Sequence, residues 1–315
     1  MTDALVLIDP TASTIEPADL AAAQLPVTDL SAHRGDGIFE TVLVTASAST
    51  RTVVSRERHF ARFCASASAL ELPEPDPDLW DRAVEAVIAE VVAADPSIVE
   101  FGVRYAMSRG GQPAQGRSPG VDSEGVNSTG ANSNNGGPQP RGWAFSVPVD
   151  ETIKRARAEG VSAVSLDRGY DAYIGSKAPW LLIGAKTLSY AVNQAANRYA
   201  KQRGAEEALF VSHDGIVLEG PTANIVIRRG DRLLTPSPEA GLLSGTTQRL
   251  LFDHASALGL QAEYADLRLE DVKSGDGAWF VSSMRTAAAL IELDGNPVAN
   301  DEELTAAFQS VIKAG

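Results

Sequence analysis

The stretch IGAKTLSYAVNQAANRYAKQRG, residues 183–204, joins an apolar run to an amphipathic pattern, with one lysine at the junction. The apolar run predicts a strand, and the spacing after it predicts a helix that begins at Thr187 and ends at Gly204. Lysine side chains are most often solvated, so Lys186 taken alone is interpreted as a surface charge. The rest of the chain decides whether this lysine has a chemical role.

The predicted helix after Lys186 has one apolar face, on which side chains recur at three- and four-residue steps. In a globular protein such a face is typically turned toward the core. Its residues are Leu188, Val192, Ala195 and Tyr199.

The composition limits the classes of function. The chain has 315 residues, of which 44% are hydrophobic and 22% are charged, as in ordinary soluble globular proteins. Its net charge of −14 would repel a phosphate backbone, which argues against nucleic-acid binding. The four histidines show no H-x-x-x-H spacing, so a histidine-rich metal centre is not expected.

The sequence also bears on location. No apolar run approaches the roughly 20 residues that a membrane helix needs. The first residues, MTDALVLIDPTAST, lack the basic segment that is typical of a signal peptide. The single cysteine, Cys64, excludes an internal disulfide. We therefore expect a cytoplasmic protein with no membrane segment.

Residues 112–141 are almost entirely Gly, Ser, Asn, Pro, Gln and charged residues. A segment of this composition buries too little apolar surface to offset the entropy of ordering, so a loop is predicted. It separates strand-like runs at 99–108 and 142–149, which favours a loop inserted in a hairpin over a linker between domains. A lid over a binding site is the functional alternative.

The pattern of predicted elements changes near residue 150. From residue 37 the chain reads strand, strand, helix, helix, strand, strand, and the second of these helices begins at Pro77; this order indicates an α+β domain. The later half has short strands joined by Asp-Gly and Gly-Asp turns, interspersed with helices. The sequence therefore predicts one domain over residues 1–150 and a larger one over residues 151–315.

Three features downstream of Lys186 are informative together. Glu219 ends a predicted strand and precedes Gly-Pro-Thr-Ala-Asn, so by itself it is most simply a turn residue. The Gly-Thr-Thr run at 245–247 begins a predicted helix, where its N–H groups and hydroxyls either cap the helix or bind phosphate. The serine pair at 282–283 ends another strand and adds two hydroxyls.

A lysine, a carboxylate and a hydroxyl-lined phosphate site are the groups that pyridoxal 5′-phosphate requires. The amine forms a Schiff base with the aldehyde, the carboxylate pairs with the ring nitrogen, and the hydroxyls hold the phosphate. Each feature has an ordinary structural interpretation, but their combination favours a pyridoxal-phosphate enzyme.

Six segments resemble, in order and spacing, the class IV aminotransferases, which are the fold type IV pyridoxal-phosphate enzymes. The resemblance implies a small N-terminal α+β domain and a larger C-terminal domain that combines a mixed sheet or barrel with helices. It also implies a homodimer that acts on a small amino substrate and that binds neither nucleic acid nor membrane. The segments are RGDGIFET (34–41), RHFARFCASASAL (58–70), GAKTLSYAVNQA (184–195), VLEGPTANIVI (217–227), LLSGTTQRLL (242–251) and VSSMRTAAALIELDG (281–295).

The resemblance also implies roles for single residues. Lys186 would carry the Schiff base and transfer the substrate proton; Lys177 is the competing lysine, but it lacks the following Thr-Leu-Ser-Tyr. Glu219 would pair with the ring nitrogen, and Asn224 would support it. The other cofactor residues that the resemblance implies are Arg62, Gly245, Thr246, Thr247 and Ser283 at the phosphate, with Tyr190 at the ring hydroxyl.

The family contains branched-chain aminotransferases, D-amino-acid transaminases and 4-amino-4-deoxychorismate lyases. RGDGIFET resembles the lyase and D-amino-acid branches, and VRYAMSRGG (103–111) resembles the lyase segment. Arg34, Arg104 and Arg109 are candidate ligands of substrate carboxylates, although each is also interpretable as a surface arginine.

We predict a 4-amino-4-deoxychorismate lyase that forms 4-aminobenzoate and pyruvate, a step of folate biosynthesis. The alternatives are an aminotransferase that moves an amino group from branched-chain or D-amino acids to 2-oxoglutarate, and a non-catalytic protein that retains the fold. No metal is implied in any of these cases.

Overall fold

The computed structural model describes residues 3–47, 50–111 and 139–315. Two β-sheets follow one another along the chain, the first within residues 5–147 and the second within residues 161–297. This architecture confirms the predicted fold class, an α+β part followed by a larger part with a mixed sheet. The domain boundary near residue 150 stays a prediction, and it falls between the two sheets.

The first sheet is antiparallel at every pair of neighbouring strands described. Its strands are β1 Leu5–Asp9, β2 Thr14–Pro17, β3 Gly37–Ser47, β4 Thr50–Val53, β5 Glu100–Ser108 and β6 Arg141–Val147. Their order in the sheet is β2-β1-β6-β5-β3-β4. The elements predicted from residue 37 onward are confirmed, whereas β1 and β2 lie outside that prediction.

Three helices accompany this sheet: α1 Leu30–Arg34, α2 Arg56–Ala69 and α3 Pro77–Ala94. The start of α3 at Pro77 is confirmed; the Asp76 side chain caps it by accepting the Asp78 N–H. Phe63 of α2 packs edge-on against Trp80 of α3, with ring centroids 4.7 Å apart. This aromatic contact holds both helices to the same apolar core.

The second sheet contains parallel and antiparallel pairs. Its strands are β7 Val161–Asp167, β8 Glu207–Val211, β9 Asn224–Arg229, β10 Arg232–Thr235, β11 Gln261–Tyr264, β12 Gly277–Ser282, β13 Thr286–Leu293 and β14 Asn296–Pro297. Their order is β11-β10-β9-β12-β13-β7-β8, with β14 paired to β13. The helices of this half are α4 Glu151–Glu159, α5 Ala191–Gln202, α6 Thr246–His254, α7 Leu269–Lys273 and α8 Glu302–Ala314.

The strand predicted before Lys186 is wrong. Residues 183–184 form a turn, residues 185–186 have no regular secondary structure, and α5 begins at Ala191 rather than at Thr187. Gly184 has φ +88°, a left-handed conformation that a continuous strand does not accommodate. The segment instead attaches to β3, because the Leu188 N–H donates to the Gly37 carbonyl at 2.8 Å.

The predicted apolar face of α5 is also wrong. Val192, Ala195 and Tyr199 are exposed in the chain, and the helix buries Ala196 and Ala200 instead. Because these buried side chains are small, α5 lies close to β7 and β8. The predicted face, which carries the larger apolar side chains, is not covered by the described residues.

Three further predictions concern a loop, a membrane helix and a metal site. The loop predicted at 112–141 lies, for residues 112–138, outside the part of the chain that is described. Among the described helices, none combines the length and the apolar character needed to cross a membrane. In the same residues, no group of three or more His, Cys, Asp or Glu side chains is placed to hold a metal ion.

A small apolar cluster joins the two halves. Leu43 of β3, Val54 and Leu250 of α6 are buried together, with Val149 and Met284 packed against them. Because α6 belongs to the second half and β3 to the first sheet, this cluster is a direct apolar contact between the two halves of the chain.

We expect Leu43→Ala to lower the free energy of unfolding by about 2–5 kcal/mol, because it removes a fully buried side chain and leaves a cavity. Urea unfolding followed by circular dichroism measures the change. Leu20→Ala is the matched control, since Leu20 is exposed and its loss should change stability by less than about 0.5 kcal/mol. Equal effects of the two variants would contradict this account of the cluster.

Candidate active site

A cavity of about 1250 Å³ is lined by residues from both halves of the chain. Lys177, the competing lysine, is not among its lining residues. The wall includes every residue that the sequence singled out for cofactor or substrate: Arg34, Arg62, Arg104, Arg109, Lys186, Tyr190, Glu219, Asn224, Gly245, Thr246, Thr247 and Ser283. Their roles stay predictions, but the fold brings them to one place.

Lys186 is held by its backbone on two sides. Its carbonyl accepts the Phe39 N–H at 3.0 Å, and its own N–H donates to the Ser66 hydroxyl at 3.1 Å. Its Nζ lies 4.6 Å from the centroid of the Phe39 ring. Burial, and next the positive charge of Arg62, lower the pKa of the Lys186 amine to about 8. The amine is therefore partly neutral near neutral pH, as a proton acceptor must be.

Glu219 is held in a tight turn rather than at the end of a regular strand. It forms a single bridge with Asn224, the first residue of β9, whereas the sequence predicted that Glu219 ends a strand. The Leu243 N–H lies 3.2 Å from each carboxylate oxygen, and the Asn224 amide donates to Oε2 at 3.2 Å and to the Leu243 carbonyl at 2.9 Å. Asn224 thus contacts Glu219 as predicted.

The charge state of Glu219 is set mainly by its surroundings. Burial raises the pKa of its carboxyl to about 7, although the Leu243 N–H and the charge of Lys186 act in the opposite direction. A positively charged partner in the cavity would return this pKa to a lower value. Glu219 is therefore suited to a cationic ring nitrogen.

The N-terminus of α6 forms the anion-binding end of the cavity. Its first N–H groups have no acceptor within the helix, and the helix dipole favours a negative charge there. Thr246 and Thr247 are buried at this end, and Gly245 precedes them. A Cβ at Gly245 would lie 2.0 Å from Asn224 Oδ1, so only glycine lets the loop approach Asn224 this closely.

A buried group of three charged or titratable residues lies behind this end. Arg62 donates to Glu40 through Nε at 2.7 Å and Nη2 at 2.9 Å, and through Nη1 to the Ser244 carbonyl at 3.0 Å. His59 Nδ1 lies 2.7 Å from Glu40 Oε2. Burial alone would raise the pKa of Glu40, but Arg62 and His59 hold it well below its usual range. Burial lowers the pKa of His59.

Sequence reasoning missed Glu40 and His59, although both lie in segments that carry the family resemblance. The signals in the sequence were weak. Glu40 is a carboxylate in an apolar strand run, and His59 precedes Arg62 by three residues, so the two share one face of α2. Only the tertiary structure shows that all three side chains meet.

The three predicted substrate arginines differ in how many of their guanidinium nitrogens already make hydrogen bonds. Arg104 lies between Phe39 and Phe145, its guanidinium carbon 5.3 and 5.9 Å from their ring centroids. Its Nε donates to the Thr41 hydroxyl at 2.9 Å, and its two terminal nitrogens make no hydrogen bond within the described residues. Arg104 therefore offers the cavity a planar pair of donors.

Arg109 and Arg34 are placed differently. Arg109 donates to Asp36 at 2.8 Å and to the carbonyls of Leu70 at 2.5 Å and Glu71 at 3.2 Å. These bonds use all three of its nitrogens and connect the loop after α1 to the end of α2. Arg34 ends α1 and is exposed at the wall of the cavity.

Three other residues of the cavity wall complete its charge and shape. Arg168 and Arg285, which were not predicted, add two cations; Arg168 donates to the Tyr170 hydroxyl at 3.1 Å, and Arg285 to Glu207 at 2.6 Å. Tyr190 packs edge-on against Phe39, and burial raises the pKa of its phenol to about 12. Tyr190 therefore stays neutral and can donate a hydrogen bond.

The residues present fit pyridoxal phosphate. An amine of lowered pKa, a carboxyl of raised pKa and a helix N-terminus flanked by hydroxyls and an arginine all line one cavity. This donor set matches an aldehyde, a ring nitrogen and a phosphate. The glycine that allows the close approach at Asn224 lies at the phosphate end.

Comparison with known proteins gives a consistent result. The model of the family described as amino-transferase class IV matches residues 37–291. The chain is 41% identical to a bifunctional aminodeoxychorismate lyase / D-amino acid transaminase of Mycobacterium tuberculosis, over 85% of each chain.

Two solved structures extend this similarity to the fold. A fold IV transaminase from Curtobacterium pusillum matches with a TM-score of 0.86 and 34% identity, over 100% of both chains. A Mycobacterium tuberculosis protein described as a hypothetical aminotransferase, in its PLP-bound form, matches with a TM-score of 0.83 and 37% identity, over 98% of both.

We expect Lys186 in the cofactor-free protein to react with an amine-acylating reagent with a midpoint near pH 8, because only the neutral amine reacts and its pKa is lowered to about 8. An ordinary lysine has its midpoint at about pH 10.4. Peptide mass spectrometry across a pH series measures the modification of this residue. Lys177→Ala, outside the cavity, should leave the midpoint unchanged; a Lys186 midpoint as high as that of an ordinary lysine would refute the assignment.

Proposed function

We propose that this chain, which belongs to the class IV aminotransferase family, is a 4-amino-4-deoxychorismate lyase, which forms 4-aminobenzoate and pyruvate. The chain is a pyridoxal-phosphate-dependent enzyme, an aminotransferase or a lyase. The observation that carries the choice of substrate is Arg104, which lines the cavity and whose terminal nitrogens make no hydrogen bond within the described residues. Arg168, which also lines the cavity, suits a substrate with more than one carboxylate, whereas the charge of Arg285 is paired with Glu207.

The reaction begins with removal of a proton from the carbon that carries the substrate amine. When bound, pyridoxal phosphate supplies an electron-withdrawing ring that stabilises the charge left on that carbon. Lys186 accepts the proton, since its lowered pKa keeps part of the amine neutral. Glu219 would hold the ring nitrogen in its protonated form, and the N–H of Leu243 fixes the orientation of that carboxylate.

The phosphate would be held at the N-terminus of α6. Thr246, Thr247 and Ser283 supply hydroxyls there, and Arg62 supplies a cation. Arg62 is oriented by its two bonds to Glu40, so its guanidinium does not have to be ordered when the cofactor binds. Because other residues would hold the phosphate, Lys186 would be free to accept the substrate proton.

The lyase and the aminotransferase share proton removal and diverge in the next step. In the lyase, the enolpyruvyl group leaves and the ring becomes aromatic, so the substrate atoms divide completely between 4-aminobenzoate and pyruvate. No amino acceptor takes part. In the aminotransferase, the amino group is transferred and a keto acid acceptor is needed for turnover.

The second candidate is a D-amino-acid aminotransferase. It is supported by the name of the bifunctional relative, which includes a D-amino acid transaminase activity. A branched-chain aminotransferase is less well supported, because the segment RGDGIFET resembles the lyase and D-amino-acid branches of the family. A non-catalytic role is set aside, since the cavity retains the amine, the carboxylate and the anion-binding end.

The decisive experiment offers 4-amino-4-deoxychorismate to the pyridoxal-phosphate-loaded enzyme without any keto acid. We expect 4-aminobenzoate and pyruvate in equal amounts over many turnovers, measured by chromatography and by a coupled pyruvate assay. If neither product appears, while a D-amino acid transfers its amino group to 2-oxoglutarate, the enzyme is the aminotransferase.

The Arg104→Gln variant tests the substrate site within the same assay. Loss of a charged, two-donor contact should lower kcat/KM by about 10- to 100-fold, mainly through KM, since a carboxylate contact is present before and during the reaction. Arg82→Gln is the control, because Arg82 is an exposed arginine of α3 that contacts only the Ser13 carbonyl among the described residues. Equal kinetics in the two variants would remove Arg104 from the site.

We also propose that the chain forms a homodimer and is located in the cytoplasm. An apolar surface beside the cavity supports the first proposal: Trp180 is 75% exposed and Val192 60% exposed, with Leu181 and Tyr199 nearby in the chain. Leu181 and Val192 also line the cavity, so a second copy on this surface would complete its wall. The single cysteine is consistent with a reducing compartment.

Placing a charge in this surface should separate the subunits. We expect Val192→Asp to shift the protein from a dimer to a monomer in light scattering, because a buried unpaired carboxylate opposes association. Val99→Asp, at an exposed valine outside this surface, is the control and should remain dimeric. A wild-type protein that is monomeric at all concentrations would refute the dimer.

A further inference from the structure

A buried histidine connects the phosphate end of the cavity to the Glu40–Arg62 ion pair. His59 is 1% exposed and Glu40 is 0% exposed. On one side of the ring, Nδ1 lies 2.7 Å from Glu40 Oε2. On the other side, Nε2 lies 3.1 Å from Thr246 Oγ1 and 3.2 Å from Ser283 Oγ. The ring thus contacts two of the hydroxyls assigned to the phosphate.

Hydrogen positions follow from the chemistry of these groups. Ionised Glu40 only accepts hydrogen bonds, so Nδ1 carries a hydrogen and donates it. In a neutral ring, Nε2 is then an acceptor, and within the described residues the Thr246 and Ser283 hydroxyls are the donors that it contacts. Their oxygen lone pairs, rather than their hydrogens, are then available to the cavity.

An anion in the cavity reverses this requirement. The phosphate of the cofactor only accepts hydrogen bonds when doubly ionised, so both hydroxyls must turn their hydrogens toward it. A neutral His59 would then present the lone pair of Nε2 to two oxygen atoms without any hydrogen between them. Protonated Nε2 removes this conflict, because it donates to those oxygens.

The charge balance favours the same change. Arg62 and Glu40 are bonded through two nitrogens and two oxygens, so their charges largely cancel. With neutral His59, the buried group of Glu40, His59 and Arg62 has no net charge to offset a dianion. One added proton gives it a net charge of +1, and Glu40 is placed to stabilise the imidazolium.

We propose that binding of the phosphate group of the cofactor is coupled to the uptake of one proton by His59. The proton comes from solvent and bonds to Nε2, while Nδ1 keeps its hydrogen and continues to donate it to Glu40. Nε2–H donates to the hydroxyl oxygens of Thr246 and Ser283, and their hydrogens turn to the phosphate. This role deepens the cofactor site and does not depend on whether the enzyme is a lyase or an aminotransferase.

The charged groups around the ring set the sign of the pH dependence. Burial lowers the pKa of His59, Glu40 of β3 raises it, and Arg62 of α2 and Lys186 lower it, with a net decrease in the cofactor-free protein. Thr246 of α6 and Ser283 are neutral. Phosphate binding raises this pKa, so between the two values one proton is taken up. Affinity for the phosphate group therefore falls about tenfold per pH unit as pH rises through that window.

Nitrogen-15 NMR of the imidazoles tests the proposal directly, with no catalytic readout. The cofactor-free full chain is compared at neutral pH with and without sulfate, a dianion that does not titrate there, and with pyridoxamine 5′-phosphate. The His59 signal is the one that His59→Gln removes. We expect a neutral ring with Nδ1–H in the free protein and a doubly protonated ring with either ligand. A ring that is neutral in both states, or charged in both, overturns the proposal.

Calorimetry of pyridoxamine 5′-phosphate binding in two buffers of different ionisation enthalpy counts the protons. We expect His59→Gln to take up about one proton fewer than the wild type, because the glutamine amide donates without titrating. His254→Gln is the matched control, since His254 ends α6 and contacts only the Leu250 carbonyl among the described residues. Equal proton counts for wild type and His59→Gln contradict the coupling. If that variant does not fold, the variants His33→Gln, His213→Gln and His254→Gln assign the other three histidine signals, and the remaining signal in the wild-type NMR spectrum decides the question.

Discussion

The contact between Glu40 and Arg62 is the interaction on which the cavity depends. Two buried ions cost several kcal/mol each to desolvate, and a complete set of hydrogen bonds is needed to offset that cost. Here both carboxylate oxygens and three arginine nitrogens make hydrogen bonds. The third nitrogen bonds the Ser244 carbonyl, just before α6. A single ion pair therefore ties β3 and α2 of the first half to the loop that carries the anion-binding end in the second half.

The reactive groups depend on that frame. Lys186 is bonded to the backbone of β3, and Glu219 is bonded to Leu243 in the loop before α6, so the two reach the cavity from separate segments of the fold. Burial moves their pKa values toward each other, to about 8 for the amine and about 7 for the carboxyl. Near neutral pH each group can change its protonation state, which a single exposed lysine or glutamate cannot do.

Much of the site could be predicted from sequence, because its residues lie in segments whose order resembles one family. Lys186, Glu219 and the run at 245–247 line the cavity, and the family is confirmed. Local patterns performed less well. The strand before Lys186 is a turn, since Gly184 takes a left-handed conformation, and α5 buries its alanines rather than its larger apolar side chains. Periodicity identifies an amphipathic helix but not which surface will cover it.

The sequence by itself determined the class of fold, the family and the residue types available for pyridoxal phosphate, because these depend on order and spacing along the chain. Only the tertiary structure decided which arginines remain free and which are bonded: Arg104 keeps two nitrogens for the cavity, whereas Arg109 uses all three on neighbouring groups. It also decided that His59 meets Glu40, Thr246 and Ser283. Hydrogen bonds and burial join residues distant in sequence, so one-dimensional spacing does not contain them.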